Sequence, residues 1–266
     1  MGAVTQNGPG TLTLSAINIF TGVTTVNSGT LALSAGGGSG VVRGILNINA
    51  GATVVLNNGD ALGFNTGGVS VDTININGGT LSNNSGGNQG FVTNMVLTGA
   101  TVTTTGGQYH FNSGFGITSN SSSTTSQFNA PIQIRGTSLV VTTALGTTPS
   151  GIDLVASGII LNNAAFTKAG PGSLQLTATN TYTGATTVSG GTLQVGNGTT
   201  GSIASASPVV VSSGATLGVN LAAAGIMAIT PASKIRAVVK QHIGHTGCGN
   251  RKPHAWATFG VCACAG

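Results

Sequence analysis

The sequence contains very little charge, and its acidic residues are too few for most hydrolytic chemistry. Eight Lys or Arg and three Asp or Glu occur among 266 residues, whereas about a quarter of an ordinary soluble domain is charged. Glu is absent, and the three acids are Asp60, Asp72 and Asp153. Sugar-cleaving enzymes generally need paired carboxylates. A two-carboxylate hydrolase is therefore nearly excluded, and no catalytic residue is assigned.

Basic residues are equally sparse over most of the chain. Up to residue 230 they are Arg43, Arg135 and Lys168, which balance the three acids and are expected to be solvated. Residues 1–230 therefore have no net positive charge to neutralise phosphates, so they are not expected to bind nucleic acid. The excess positive charge lies further along the chain, at Lys234, Arg236, Lys240, Arg251 and Lys252.

Cysteine is missing from most of the chain, and long hydrophobic runs are missing throughout. No Cys precedes Cys248, which suits a protein exported through an oxidising compartment. The longest apolar run, Leu221 to Ile229, is too short to span a bilayer as a helix. The segment Met1 to Gln6 has neither the basic start nor the apolar stretch of a signal peptide. Any targeting segment is thus expected outside this sequence.

The residues that are abundant predict many short strands separated by turns. Glycine occupies 45 positions, and Thr, Ser, Asn, Val, Leu and Ala supply most of the rest. Thr and Val favour strands, whereas Gly and Asn favour turns. Disordered chains are instead poor in β-branched residues and rich in charge. We therefore expect an all-β protein.

Two segments of the chain are internal repeats that align with each other without a gap. They read GPGTLTLSAINIFTGVTTVNSGTLALS, from Gly8 to Ser34, and GPGSLQLTATNTYTGATTVSGGTLQVG, from Gly170 to Gly196. Each copy predicts three short strands, beginning with alternating Leu and polar residues. Internal repetition of this kind is typical of a solenoid.

A shorter pattern recurs along the chain, in which an apolar residue is followed two or three positions later by Gly-Thr-apolar or Gly-Ala-Thr-apolar. Its leading apolar residues are Val26, Ile48, Ile76, Leu97, Val188 and Val211. Outside the long middle gap, the steps lie within the range of roughly 20–30 residues that is typical of solenoid repeats. This spacing predicts a parallel β-helix of roughly nine or ten coils, on the order of 45 Å long.

Inward Leu, Val and Ile would form the core of this β-helix. Four asparagines are expected at its turns, where amides can stack in ladders: Asn18, Asn49, Asn77 and Asn180.

The pattern resembles the autotransporter-associated β-strand repeat of bacterial passenger domains. The residues that carry the resemblance are Gly-x-Gly-[Thr/Ser]-Leu-x-Leu, then Asn-x-[Phe/Tyr]-Thr-Gly, then Thr-Thr-Val-x-x-Gly-Thr-Leu. The resemblance implies a right-handed parallel β-helix, export across the outer membrane to the cell surface, and a supporting role in passenger folding. It implies no particular activity.

A complete autotransporter would also contain a β-barrel translocator made of alternating strands with aromatic girdles. No such pattern occurs in these 266 residues. The chain is therefore interpreted as a passenger fragment, or as the product of an interrupted gene, whose translocator lies elsewhere.

Three sequence features could be sites, but each favours a structural role. Asp60, in Asn-Asn-Gly-Asp, is typical of a turn residue. His110 has no acid or Cys beside it in the sequence and is interpreted as a packing or surface residue. The Thr-x-Thr pair at Thr11 and Thr13 would suit an ice-binding face, but the equivalent positions in the second copy are Ser173 and Gln175.

The segment from Asn112 to Asn129, rich in Ser, Thr, Gly and Asn, weakens the repeat period. It is expected to be an extruded loop or an irregular coil. Because inserted loops of solenoids often carry binding, residues 107–130 form the one site-like region of the sequence. A Thr/Asn face of the solenoid is the other candidate for a binding surface.

The composition changes near Lys234. The tail contains six possible zinc ligands, but their spacing fits no recognised structural site: His242, His245, Cys248, His254, Cys262 and Cys264. A frameshifted, disordered tail is favoured over zinc binding, and no metal or cofactor is assigned.

We therefore expect residues 1–230 to be solenoid and residues 231–266 to be an irregular or disordered tail. The predicted function is a rigid, monomeric stalk or display scaffold at the cell surface, without a small-molecule substrate. An adhesin-like module that binds glycan or a host-surface protein is the alternative. A polysaccharide-degrading β-helix enzyme is less favoured.

Overall fold

The computed structural model describes residues 2–65, 68–91 and 94–221, and these residues form strands and turns without a helix. The predicted tail lies outside the described residues. The first twelve strands are β1 (Val4–Gln6), β2 (Thr11–Leu14), β3 (Thr24–Val26), β4 (Thr30–Leu33), β5 (Gly44–Ile48), β6 (Thr53–Leu56), β7 (Val71–Asn77), β8 (Thr80–Asn83), β9 (Gln89–Phe91), β10 (Asn94–Thr98), β11 (Thr101–Thr104) and β12 (Tyr109–Phe111). The second twelve are β13 (Gly116–Ser119), β14 (Ser126–Phe128), β15 (Ile132–Ile134), β16 (Ser138–Thr143), β17 (Leu154–Ala156), β18 (Ile160–Leu161), β19 (Ala165–Ala169), β20 (Ser173–Leu176), β21 (Thr186–Val188), β22 (Thr192–Val195), β23 (Val209–Val211) and β24 (Thr216–Val219).

The strands form three parallel sheets that make up a β-solenoid. The first sheet has ten strands, in the order β1-β3-β5-β7-β10-β13-β16-β19-β21-β23. The second also has ten, in the order β2-β4-β6-β8-β11-β14-β17-β20-β22-β24. Each successive coil adds one strand to both sheets. The predicted parallel β-solenoid is confirmed, and its right-handedness remains the expectation from the resemblance.

A third sheet, in the order β9-β12-β15-β18, is confined to four consecutive coils in the middle of the solenoid. It accounts for the weakened sequence period, because these coils have an additional strand. The segment from Asn112 to Asn129 is thus neither an extruded loop nor an irregular coil. Its strands β13 and β14 pair on both sides with neighbouring strands of the first and second sheets. That expectation was wrong, because Ser and Thr occupy outward strand positions as well as turns.

The inward side chains form continuous hydrophobic columns, as the alternation predicts. In the second sheet Leu31, Val54 and Leu81 lie in register on successive strands and are fully buried. In the first sheet Val26, Ile48 and Ile76 form a matching column. Burying a Leu or Val side chain contributes about 1.5–3 kcal/mol, so the columns supply the main stabilisation of each coil.

Relative to the register of the sheets, the second repeat copy is displaced by two residues from the first. The column that begins at Leu12 continues to Leu176, although the counterpart of Leu12 is Leu174. In the first sheet the column from Val4 reaches Lys168 instead of Phe166. Because side chains alternate with a period of two, an even displacement keeps the inward set inward.

A glycine contact between coils recurs in both copies. Gly29 has φ of 68° and Gly191 has φ of 59°, a region that other residues rarely adopt. A β-carbon on Gly29 would lie less than 3.0 Å from the carbonyl oxygens of Gly8 and Gly10. A β-carbon on Gly191 would meet Gly170 and Gly172 in the same way. The glycine of Gly-Thr-Leu thus allows its coil to lie directly on the Gly-Pro-Gly carbonyls of the previous coil.

Asparagine amides link the turns, as predicted for part of the set. Asn49 donates to the side-chain oxygen of Asn27 at 2.6 Å, and Asn27 donates to that of Asn7 at 2.7 Å. Asn18 and Asn180 instead donate to backbone carbonyls one coil away, at Val41 and Ser202. The ladder prediction is therefore confirmed at Asn49, and Asn18 and Asn180 satisfy the backbone. The prediction of a turn was wrong for Asn77, which is the last residue of β7 and pairs with Thr98.

Lys168 is fully buried, so the expectation that it is solvated was wrong. It faces inward from β19, and its Nζ donates to the carbonyl oxygens of Ala169 and Gly170 at 2.9 Å and of Gly190 at 3.0 Å. Three acceptors satisfy the three donors of an ammonium group. Burial lowers the pKa of Lys168 to about 8, although the Asp153 carboxylate opposes this shift.

Candidate functional site

The third sheet lies beside a cavity of about 610 Å³, and most of the side chains that line it are polar. Six residues contribute side chains that line it: Asp60, Phe64, Asn88, His110, Asn112 and Arg135. They come from segments that are far apart in sequence but only a few coils apart in the solenoid. We call this set the third-sheet pocket.

His110 lies at the centre of β12 and pairs with Gly90 on one side and Gln133 on the other. Its side chain is only 5% exposed. The Nδ1 atom lies 3.4 Å from Nη1 of Arg135. Because a guanidinium group only donates hydrogen bonds, this contact assigns Nδ1 as the acceptor and places the imidazole proton on Nε2.

The Nε2 atom of His110 is buried and has no hydrogen-bond partner. A buried donor without an acceptor costs about 1–3 kcal/mol. Burial lowers the pKa of His110 from its ordinary value, the Arg135 guanidinium lowers it further, and the Asp60 carboxylate opposes both. The imidazole is therefore neutral at pH 7 and offers one unused N–H donor.

Asp60 occupies a turn, as predicted, with a positive φ of 52°. Its Oδ1 accepts a hydrogen bond from the backbone N–H of Gly90 at 2.7 Å. A β-carbon on Gly90 would approach Oδ1 of Asp60 to 3.2 Å and the β-carbon of Phe64 to 2.9 Å. Glycine at position 90 thus lets the Asp60 turn fold against the third sheet.

Arg135 and Phe64 form the open side of the pocket. Arg135 follows β15 and is exposed, as predicted, but its guanidinium contacts an imidazole instead of only water. Phe64 is 45% exposed although it is a large hydrophobic residue. Exposed aromatic rings beside convergent polar groups are typical of ligand pockets.

Asp60, His110 and Arg135 lie together in the fold, although nothing beside each of them in the sequence indicates this. They were treated as isolated because they are far apart along the chain. Their separations are close to two coils and one coil of the solenoid, so the repeat spacing itself was the usable signal. The site-like range of residues 107–130 overlaps the pocket only through His110 and Asn112.

The other two acids do not form a second site with Asp60. Asp153 is buried, and its carboxylate accepts backbone hydrogen bonds from Gly146 and Ser173, both at 2.7 Å. Asp72 is exposed on β7. Within residues 2–65, 68–91 and 94–221, no group of three or more His, Cys, Asp or Glu could hold a metal ion.

A regular double column of threonines is not formed on the second sheet. Thr11, Thr30 and Thr53 lie in register, and the column continues through Thr80 and Thr101. The neighbouring outward column begins at Thr13 and then changes to Ala32, Val55 and Ser82. An ice-binding face of paired threonines therefore has no support.

Comparison with known proteins identifies the repeats. The passenger-associated-transport-repeat family matches residues 4–33 and residues 166–195. These ranges contain β1 to β4 and most of β19 to β22, so each match covers two adjacent coils. No curated protein and no solved structure matches the chain significantly.

The family implies export to the cell surface or the extracellular space and association with a β-barrel translocator. Among the described residues, no helix is long and apolar enough to cross a membrane. The two family matches coincide with the coils in which the glycine contact recurs. The chain is therefore a parallel β-solenoid that carries two passenger-associated-transport repeats, the repeats of autotransporter passenger domains.

Proposed function

We propose that this chain acts as a rigid stalk or display scaffold in a cell-surface passenger and supports the folding of that passenger during export. The observation that carries the proposal is the continuity of the two ten-stranded sheets through all described coils. At about 4.8 Å between strands, the described coils extend for roughly 45 Å.

The stacking contacts favour a part in folding as well as spacing. In a solenoid each coil contacts only its neighbours, so a formed coil serves as the template for the next. The glycine contact between coils occurs in both matched segments. We infer that the sequence of each repeat directs how the next coil is added during folding.

A catalytic role has little support. The carboxylates of Asp60 and Asp153 hold backbone N–H groups, and Asp72 lies alone on the surface. Proton transfer in sugar hydrolysis requires two cooperating carboxyl groups. We infer that any turnover of a substrate would persist after simultaneous replacement of all three Asp. Loss of a measurable turnover in that variant would contradict this inference.

The test of the scaffold proposal is a surface-display experiment. The chain is fused to an autotransporter translocator with an epitope at its N-terminus, and surface epitope and protease-resistant material are measured. We expect the double variant Gly29→Val and Gly191→Val to reduce both, because coil stacking is blocked at each repeat. The matched control is Gly10→Ala, since a β-carbon there meets nothing within 4 Å.

Two outcomes would contradict the proposal. One is equal display and equal protease resistance of the double variant and the control. The other is an isolated chain whose length, measured by small-angle X-ray scattering, is far below the roughly 45 Å given by the strand spacing.

A further inference from the structure

The sequence contains four Asn-Gly pairs, a dipeptide whose asparagine can become an acidic residue without an enzyme. The pairs begin at Asn7, Asn58, Asn77 and Asn197. In this reaction the backbone nitrogen of the glycine bonds to Cγ of the asparagine, and the side-chain amide nitrogen leaves as ammonia. Water then opens the resulting five-membered imide to Asp or to isoaspartate. Glycine favours the attack because it has no β-carbon beside its nitrogen and adopts many backbone conformations.

Hydrogen bonds of the glycine N–H group protect two of the four pairs. All four asparagines are exposed, so exposure does not distinguish them. The N–H of Gly78 donates to the carbonyl oxygen of Thr98 at 2.9 Å, and that of Gly198 donates to Asn220 at 2.8 Å. Because the nitrogen must lose its proton in order to attack, each of these hydrogen bonds must break first.

Hydrogen bonds of the asparagine side chain also hold two of the pairs. Oδ1 of Asn7 accepts from the side-chain amide of Asn27 at 2.7 Å. Oδ1 of Asn197 accepts from the backbone N–H groups of Thr199 and Thr200, at 3.0 and 2.8 Å. A carboxamide fixed in this way is not free to turn toward the nitrogen of the following glycine.

The pair at Asn58 and Gly59 has neither kind of protection. It follows strand β6, and Asn58 is exposed. Within the part of the chain that the structure describes, neither the Asn58 carboxamide nor the Gly59 N–H forms a hydrogen bond. The nearest atom to a β-carbon placed on Gly59 would be the carbonyl oxygen of Asn88, at 3.6 Å. The turn therefore leaves room beside Gly59 for the side chain to move.

We propose that Asn58 is the preferential site of spontaneous deamidation in this chain, because the fold protects the other three pairs. Each conversion consumes one water, releases one ammonia and leaves a carboxyl group that is ionised at pH 7. The isoaspartate product also lengthens the main chain by one methylene. This change falls where Nε2 of Gln89 donates to the Asn58 carbonyl at 2.8 Å, so it alters a contact between β9 and the neighbouring coil. The proposal goes beyond the scaffold function, which requires no chemical change.

The test compares the four pairs within one sample of the full chain, incubated at mildly alkaline pH and sampled over time. Pepsin digestion at low pH and mass spectrometry measure the fraction of each asparagine that has become a carboxylic acid. We expect Asn58 to convert at least about fivefold faster than each of the others, since at least one ordinary hydrogen bond protects each of them. Methylation by an isoaspartate methyltransferase identifies the isoaspartate product.

Two controls separate the effect of the fold from that of the dipeptide. In urea the four pairs should convert at similar rates, because the protecting hydrogen bonds are lost. Gly59→Ala should suppress conversion at Asn58 only, and the space around Gly59 should leave the melting temperature unchanged. Equal rates at Asn58 and any other pair in the folded chain, conversion of Asn58 only in urea, or the same preference for Asn58 in urea would each overturn the proposal. None of these outcomes would affect the scaffold function.

Discussion

The ammonium group of Lys168 donates a hydrogen bond of 3.0 Å to the carbonyl oxygen of Gly190, one coil further along the solenoid. It also binds two carbonyls of its own coil, Ala169 and Gly170. A charged group thus occupies an inward position between Val141 and Val188 of the neighbouring strands. Because this group titrates, the free energy of unfolding should increase as the pH rises through the pKa of Lys168.

We predict that the free energy of unfolding rises between pH 8 and pH 9.5. Burial lowers the pKa of Lys168 to about 8 in the fold, while an unfolded Lys keeps a value of about 10.4. In this window the unfolded chain binds more protons than the folded chain, so raising the pH stabilises the fold. We expect a gain of about 1–2 kcal/mol.

The measurement is urea denaturation across that pH range, with Lys168→Met as the matched variant. Methionine keeps the side-chain length and removes the titrating group. The variant should lack the rise. A wild-type stability that changes over this window no more than that of the variant would show that Lys168 stays charged in the fold.

Gly191→Val is predicted to lower the free energy of unfolding by about 2 kcal/mol or more. The substitution places a β-branched residue at a φ of 59° and pushes a β-carbon against Gly172. Both effects carry costs of about 1–3 kcal/mol. Thermal melting followed by circular dichroism measures the loss, and Gly10→Ala should melt as the wild type does.

The titration midpoint of His110 in NMR is predicted to lie below the ordinary value of about 6.5. Burial and Arg135 both disfavour the imidazolium, and Asp60 favours it. Arg135→Gln should therefore raise the midpoint, and Asp60→Asn should lower it. Asn tolerates the positive φ at position 60, so the turn is preserved. Shifts opposite in sign would refute the assigned contacts.

Tyr182→Phe is predicted to destabilise the fold by about 1 kcal/mol. The Tyr182 hydroxyl lies 2.8 Å from Oγ1 of Thr186, which lies 2.9 Å from Oγ of Ser207 on the next coil. Removing the hydroxyl breaks a buried chain of hydrogen bonds. The matched control is Thr183→Val, whose exposed bond to Asn163 should contribute less. Urea denaturation compares the two variants.

The sequence predicted the regular parts of this fold because stacking repeats the same chemistry on every coil. Leu12 and Leu14 alternate with threonines in one copy, and the structure places both copies in strands of the same sheet. The third sheet was not predicted, because its strands β9, β12, β15 and β18 are very short and lie outside both repeat copies. Such short segments carry no detectable alternation.

The burial of Lys168 and the composition of the third-sheet pocket were missed for a different reason. Lys168 occupies the position equivalent to Gln6 in the first copy, so the repeat marked it as polar but gave no sign of its three carbonyl partners. Asp60, His110 and Arg135 are brought together only by the number of residues in the intervening turns. Those lengths vary between coils, so a spacing of about one or two coils places residues in neighbouring turns without determining which side chains meet.

The two repeat copies have equivalent neighbours, and this bears on how the gene can change length. A crossover between the copies would remove the intervening codons in frame and join Leu33 to Gly196. In the shortened chain Thr24 would take the place of Thr186 next to Val209, and Thr30 that of Thr192 next to Thr216. The backbone register is the same on both sides of the junction, so recombination can shorten or extend the rod by whole coils, with only side chains changed at the new contact.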